Sequence, residues 1–106
     1  DNQNKWEIGQ KIILESFALK ALAHWERDQP EQAGNMVKRY FALEQDSGNA
    51  VVSPTQLVLV ALREHLRTGK PVDWEKILAD IHIRVGGKIP QDFVLYGWVH
   101  KKAAGV

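Results

Sequence analysis

The chain has 106 residues, 44% of them hydrophobic and 25% charged, with no cysteine. That suffices for one core, argues against wholesale disorder, and excludes disulfides, thiolate metal ligands and a cysteine nucleophile. The net charge of +1 is uneven: residues 1–52 hold six Lys/Arg against eight Asp/Glu, and residues 53–106 hold eight against five.

An anion-binding surface is therefore expected in the second half. The longest apolar run, Leu57 to Leu62, is far shorter than the roughly 18 residues of a membrane span, so no membrane association is expected. With no secretory signal pattern and no cysteine, the chain reads as cytoplasmic. It opens on Asp1 rather than Met, which suits a domain excised from a longer protein.

Asn4 to about Asp28 reads as a long helix. Trp6, Ile13, Leu14, Phe17, Ala18, Ala21, Leu22 and Trp25 recur at helical steps and form one broad stripe. Pro30 interrupts it and suits the first turn of a second helix, with Glu31 complementing the dipole. Ala33, Met36, Val37, Tyr40 and Leu43 line one face of this helix up to about Gln45, and Asp46-Ser47-Gly48-Asn49 reads as a loop.

Ser53, Pro54 and Gln56 form a capping-box start for a third helix reaching about Arg67, which Gly69 and Pro71 stop. Asp73 caps a fourth, carrying Trp74, Ile77, Leu78, Ile81 and Val85 and ending at Gly86-Gly87. Pro90 to Lys102 is read as a fifth helix. The alternative is a β-hairpin across Gly86-Gly87, because Ile81 to Val85 alternates and Phe93 to Val99 is aromatic and β-branched.

The predicted fold is one all-α domain over residues 1–106, a compact bundle of four or five helices. Leu14, Phe17, Leu22, Val37, Tyr40, Leu57, Ala61, Leu62, Ile77, Leu78 and Ile81 are assigned to its core.

No residue pattern calls for catalysis. His24, His65, His82 and His100 lack a second histidine one helical turn away, so no metal site is expected. Gly86-Gly87-Lys88 lacks the earlier glycine and the following Ser or Thr of a phosphate loop, and reads as a turn. None of Ser16, Ser47 and Ser53 sits in a nucleophile elbow. No cofactor is expected, and the chain is not read as an enzyme.

Trp6, Trp25, Trp74 and Trp98 fall on or near apolar stripes and each reads first as a core anchor, but four exceed what one small core needs. Trp6 and Trp98, near the ends, are candidate interface residues. Tyr40 and Phe41 point about 100° apart on one helix. At most one of them faces the core squarely, which makes Phe41 a third candidate.

Ser53-Pro54-Thr55-Gln56, the apolar run to Leu62 and Arg63-Glu64-His65 resemble the first helix of the helix-turn-helix part of MarR-like winged-helix regulators. The resemblance extends over residues 53–106. It implies a turn at Thr68-Gly69-Lys70-Pro71-Val72, a supporting helix over Asp73 to Ile83, and a recognition helix over Pro90 to Lys102 with Lys101-Lys102 leading toward a wing. Phe93, Val94, Leu95, Tyr96, Trp98 and Val99 are more apolar than a groove-reading surface requires.

Two functions follow as expectations. The first is a non-enzymatic helical interaction module that binds a protein partner or self-associates as a homo-oligomer. The alternative is DNA binding by the basic C-terminal half, through Arg63, Arg67, Lys70, Arg84, Lys88, Lys101 and Lys102.

Overall fold

The computed structural model describes the backbone of residues 2–46, 53–91 and 93–105, and the side chains of 8–45, 53–91 and 93–105. Among the described residues there are five α-helices and no strand: α1 (Asn2–Glu26), α2 (Pro30–Asp46), α3 (Pro54–Thr68), α4 (Trp74–Val85) and α5 (Tyr96–Ala103). The fold is all-α. The chain divides into two compact units, Asp1–Val51 and Val52–Val106.

The first unit is a helical hairpin in which α1 packs along α2. Its turn uses an aspartate where a glycine is usual: Asp28 has φ 58. The Asp28 N–H donates to the Trp25 carbonyl at 3.0 Å and the Gln29 N–H to the His24 carbonyl at 2.9 Å, satisfying the last carbonyls of α1. The Gln29 carbonyl then accepts from the Ala33 N–H at 3.0 Å, opening α2.

Among the described residues of this unit, Ala18, Ala21 and Leu22 of α1 and Ala33, Val37 and Tyr40 of α2 are the buried apolar ones. Small side chains let the two helices approach closely. Gln10 is also buried, and its Nε2 donates to the Leu43 carbonyl at 3.3 Å, so its amide is not left unsatisfied. Of the two adjacent aromatics, Tyr40 is buried and Phe41 is half-buried, their rings meeting edge to face at 5.2 Å.

One expectation is corrected here. The expected stripe of α1 is only partly covered: Ala18, Ala21 and Leu22 are buried and Trp25 is half-buried, but Ile13 is exposed, as are Ile8, Ile12 and Leu19 outside that stripe. Leu14 and Phe17, expected inside, are half-buried. Asp46 ends α2; the rest of the expected loop, Ser47-Gly48-Asn49, lies outside the described residues.

The second unit contains α3, α4 and α5, with α3 packed on α4 and α4 on α5. Ser53 Oγ accepts from the Gln56 N–H at 3.1 Å, as the capping pattern predicts, and Pro54 occupies the first turn. Thr55, Val58, Leu59 and Leu62 are buried at steps of three, one and three. The apolar run alone points equally to Leu57 and Ala61, which are half-buried.

Gly69, at φ 74, ends α3 and donates to the His65 carbonyl at 2.8 Å. Asp73 Oδ1 caps α4 by accepting from the Lys76 N–H at 3.2 Å, and Gly86, at φ 67, ends it. Of the α4 residues assigned to the core, Ile81 is buried while Ile77 and Leu78 are half-buried.

The hairpin alternative over 81–99 fails. Residues 81–85 continue α4, and the Gly86 and Gly87 N–H groups both return to the His82 carbonyl, which is a helix stop and not a strand turn.

The fifth helix begins at Tyr96, not at Pro90. The reason lies in Phe93 and Leu95, both buried and two residues apart. On a helix they would diverge by about 200°, so the chain stays in turns to bury both. The Phe93 N–H donates to the Pro90 carbonyl at 3.2 Å and the Tyr96 N–H to the Phe93 carbonyl at 3.4 Å. With Val99, these two residues join Val58, Leu59, Leu62 and Ile81 as the buried apolar set among the described residues of the second unit.

Candidate functional site

The seven cations expected to contact nucleic acid occupy three separate stretches of the second unit. Arg63 and Arg67 lie on α3 with Lys70 in the turn after it; Arg84 and Lys88 flank the end of α4; Lys101 and Lys102 close α5. Arg63, Arg67 and Lys102 are already engaged. Arg67 donates to Glu64 Oε2 at 2.6 Å between exposed side chains. That hydrogen bond holds the Glu64 carboxyl below its ordinary range and raises the Arg67 guanidinium above its own. Lys102 is half-buried, its Nζ 5.4 Å from the Trp98 ring centroid, an attractive cation–π distance.

The turn between α3 and α4 is closely tied. His65 Nδ1 donates to the Lys70 carbonyl at 2.7 Å, Thr68 Oγ1 to the Glu64 carbonyl at 2.8 Å, and the Lys70 N–H to Thr68 Oγ1 at 3.2 Å. Beside it lies a shallow depression of about 390 Å³ whose charged lining mixes Arg67, Lys70 and Lys76 with Glu64, Asp73 and Asp80. Opposite signs at similar number leave this site no net preference for an anion.

Of the three candidate interface residues, Trp98 is half-buried, with its ring edge to face with Trp74 at 4.8 Å. Its role within the unit is an aromatic lock between α4 and α5. Phe41 is half-buried on α2. The side chain of Trp6 lies outside the described residues. His82 and His100 sit on either side in sequence of Tyr96, with centroids 6.0 and 5.8 Å from its ring. No group of three or more His, Cys, Asp or Glu capable of holding a metal ion occurs among the described residues.

The most distinctive surface was not singled out from the sequence. Ile8, Ile12 and Leu19 of α1 are 61%, 65% and 45% exposed. At about 100° per residue they fall within about 40° of one another around the helix axis, forming one ridge about 17 Å long. Ile13, on an adjoining face, is also exposed. The signal was present in the sequence, since a helix whose large apolar residues occur all round its axis has more than one face to cover. The exposed apolar residues of the second unit, Ile83 and Val94, lie on different segments.

No helix among the described residues is long and apolar enough to cross a membrane. Comparison with protein-family models, with curated proteins and with solved structures finds no match.

Proposed function

We propose that this chain is a non-enzymatic interaction module that pairs helices through α1, in the first instance with a second copy of itself. The observation that carries the reading is the ridge of Ile8, Ile12 and Leu19, three large exposed apolar side chains held in line on α1, roughly opposite the buried Gln10 and Ala21 and flanked by the buried Leu22. Fully burying one such side chain is worth about 1.5–3 kcal/mol. Apolar side chains aligned on one helix face, here with Glu15 between Ile12 and Leu19, mark an association surface more than scattered apolar residues do.

The spacing of the ridge is self-complementary. In an antiparallel pair with its twofold axis between residues 15 and 16, Ile12 of each copy meets Leu19 of the other, and Ile8 meets the small, exposed Ala23. Such a contact is isologous and closes on itself.

DNA binding has less to support it, because Arg63, Arg67 and Lys102 are already engaged and the remaining cations are dispersed. Replacing Lys101 and Lys102 with Glu tests it: loss of a salt-sensitive DNA affinity with the fold retained would favour that reading.

Self-association is tested by sedimentation of the full chain across micromolar concentrations. We expect a dimer that Ile12→Glu dissolves while helicity is retained. A cysteine-free chain also permits disulfide mapping. The double variant Ile12→Cys/Leu19→Cys should form a covalent dimer and neither single variant should. A monomer at every concentration, with no cross-link, overturns the proposal.

A further inference from the structure

The hairpin unit is the more acidic half of the chain, yet one of its surfaces carries cations only. Near the end of α1 and along the flank of α2, a depression of about 380 Å³ is lined by His24, Gln32, Asn35, Met36, Lys38 and Arg39. No carboxylate lines it. The depression beside the α3–α4 turn is of nearly equal size but balances its cations with three carboxylates. The absence of acids here is therefore a property of this site and not of shallow surfaces in general.

Gln32, Asn35, Met36 and Arg39 recur at the i, i+3, i+4, i+7 spacing of a single helix face. Lys38 and Arg39 are exposed, and neither has an ion pair or a hydrogen bond among the described residues. His24 is fixed differently: its Nδ1 lies 2.7 Å from Gln29 Oε1. With the amide oxygen accepting, the proton belongs on Nδ1, and Nε2 of the neutral ring is an acceptor, suited to a donor on a ligand's organic part and not to its phosphate oxygens. The imidazole is thus oriented by the same turn that joins the two helices.

We propose that this depression binds a small phosphate monoester, its dianion held by Arg39 and Lys38 and its organic part laid over Met36. Two fixed positive charges match the nearly two negative charges of a monoester at neutral pH. A guanidinium forks onto two phosphate oxygens, and an ammonium adds a point charge beside it. The carboxamides of Gln32 and Asn35 supply further N–H donors, and the thioether of Met36 supplies an adaptable apolar floor. A volume of about 380 Å³ stands near the lower end of the range of about 300–1,000 Å³ for small-molecule sites, which limits the organic part to about one ring.

The test is a titration of the isotopically labelled full chain with phenyl phosphate at low ionic strength, following backbone amide resonances. Benzoate and inorganic phosphate serve as comparison ligands. Saturable shifts are expected at residues 24, 32, 35, 38 and 39. Benzoate should bind about ten-fold more weakly or worse, and Arg39→Gln should weaken phenyl phosphate by about ten-fold or more.

Lys38→Gln should weaken it as well, and the resonance dispersion of both variants reports that they remain folded. Three results would overturn the assignment: unsaturable shifts spread over Lys70, Arg84, Lys88 and Lys101, equal affinity for benzoate, or an Arg39→Gln variant that binds unchanged. Inorganic phosphate binding as tightly as phenyl phosphate would remove the ester from the proposal, since Met36 would then contribute nothing.

Discussion

α1 and α3 are both rich in apolar residues, yet they handle them in opposite ways. α3 buries Val58, Leu59 and Leu62 behind a capped start and a glycine stop. Among its described residues α1 buries the apolar positions Ala18, Ala21 and Leu22 and leaves Ile8, Ile12, Ile13 and Leu19 exposed. A two-helix hairpin covers one face of each helix, whereas a helix in a three-helix unit has neighbours to cover more of its surface. The contrast teaches that apolar content alone does not show which residues form a core; the number of neighbouring elements decides.

The sharpest way to break the comparison is to truncate one residue of each kind. Leu62 is fully buried, so Leu62→Ala is expected to cost about 2–5 kcal/mol in chemical denaturation. Ile12→Ala removes a similar amount of hydrocarbon from a side chain 65% exposed and should shift stability by about 0.5 kcal/mol or less at concentrations below dimerisation. Equal losses at the two positions would show that the α1 ridge is covered in the folded chain and would remove the basis for its role in association.

A smaller effect separates packing within the second unit from a partner surface. Trp74 and Trp98 meet edge to face at 4.8 Å. A double-mutant cycle to Ala at both positions should give a coupling of about 0.5–1.5 kcal/mol. No coupling, together with weakened self-association of Trp98→Ala, would return Trp98 to the interface and place the association surface on α5 instead of α1.

Helix boundaries were the most legible part of the sequence, because they are set by local chemistry. Ser53, Pro54 and Gly69 mark α3 within a residue, and Asp73 and Gly86 do the same for α4. Faces were less legible. Thr55 is buried although its type suggests otherwise, while Leu57 and Ala61 are only partly covered. The start of α5 was misplaced because Pro90 fits a first turn in isolation, and only the shared burial of Phe93 and Leu95 holds the chain out of a helix. Neither the ridge on α1 nor the cationic depression on α2 carries a motif. Both depend on which side of a helix the rest of the unit covers.

The two units also differ in how their helices stop, and this gives an effect of opposite sign. Gly69 and Gly86 adopt positive φ, and an added Cβ would meet nothing within 4 Å at either, so the cost of Gly69→Ala or Gly86→Ala is conformational. We expect a loss of about 1 kcal/mol for each. Asp28 adopts φ 58 with a side chain in place, and Asp28→Gly should stabilise the hairpin by a few tenths of a kcal/mol to about 1 kcal/mol. A destabilised Asp28→Gly variant in thermal melts would mean that the aspartate side chain supports the turn more than its backbone conformation strains it.

The smallest expected effect concerns Glu64 and Arg67, an exposed pair in the last turns of α3. The hydrogen bond from Arg67 lowers the Glu64 carboxyl below its ordinary value of 4.5. A carboxyl depressed on folding adds stability that is present above its ordinary value and is lost as pH falls through the folded one. Glu64→Gln should therefore differ slightly from the parent chain at neutral pH, converge with it in acid, and converge also as salt screens the pair. A difference that survived high salt would place the pair in a drier setting than its exposure indicates. It would also make the α3–α4 turn, with its mixed charges, a more structured polar site than the cationic depression of the hairpin.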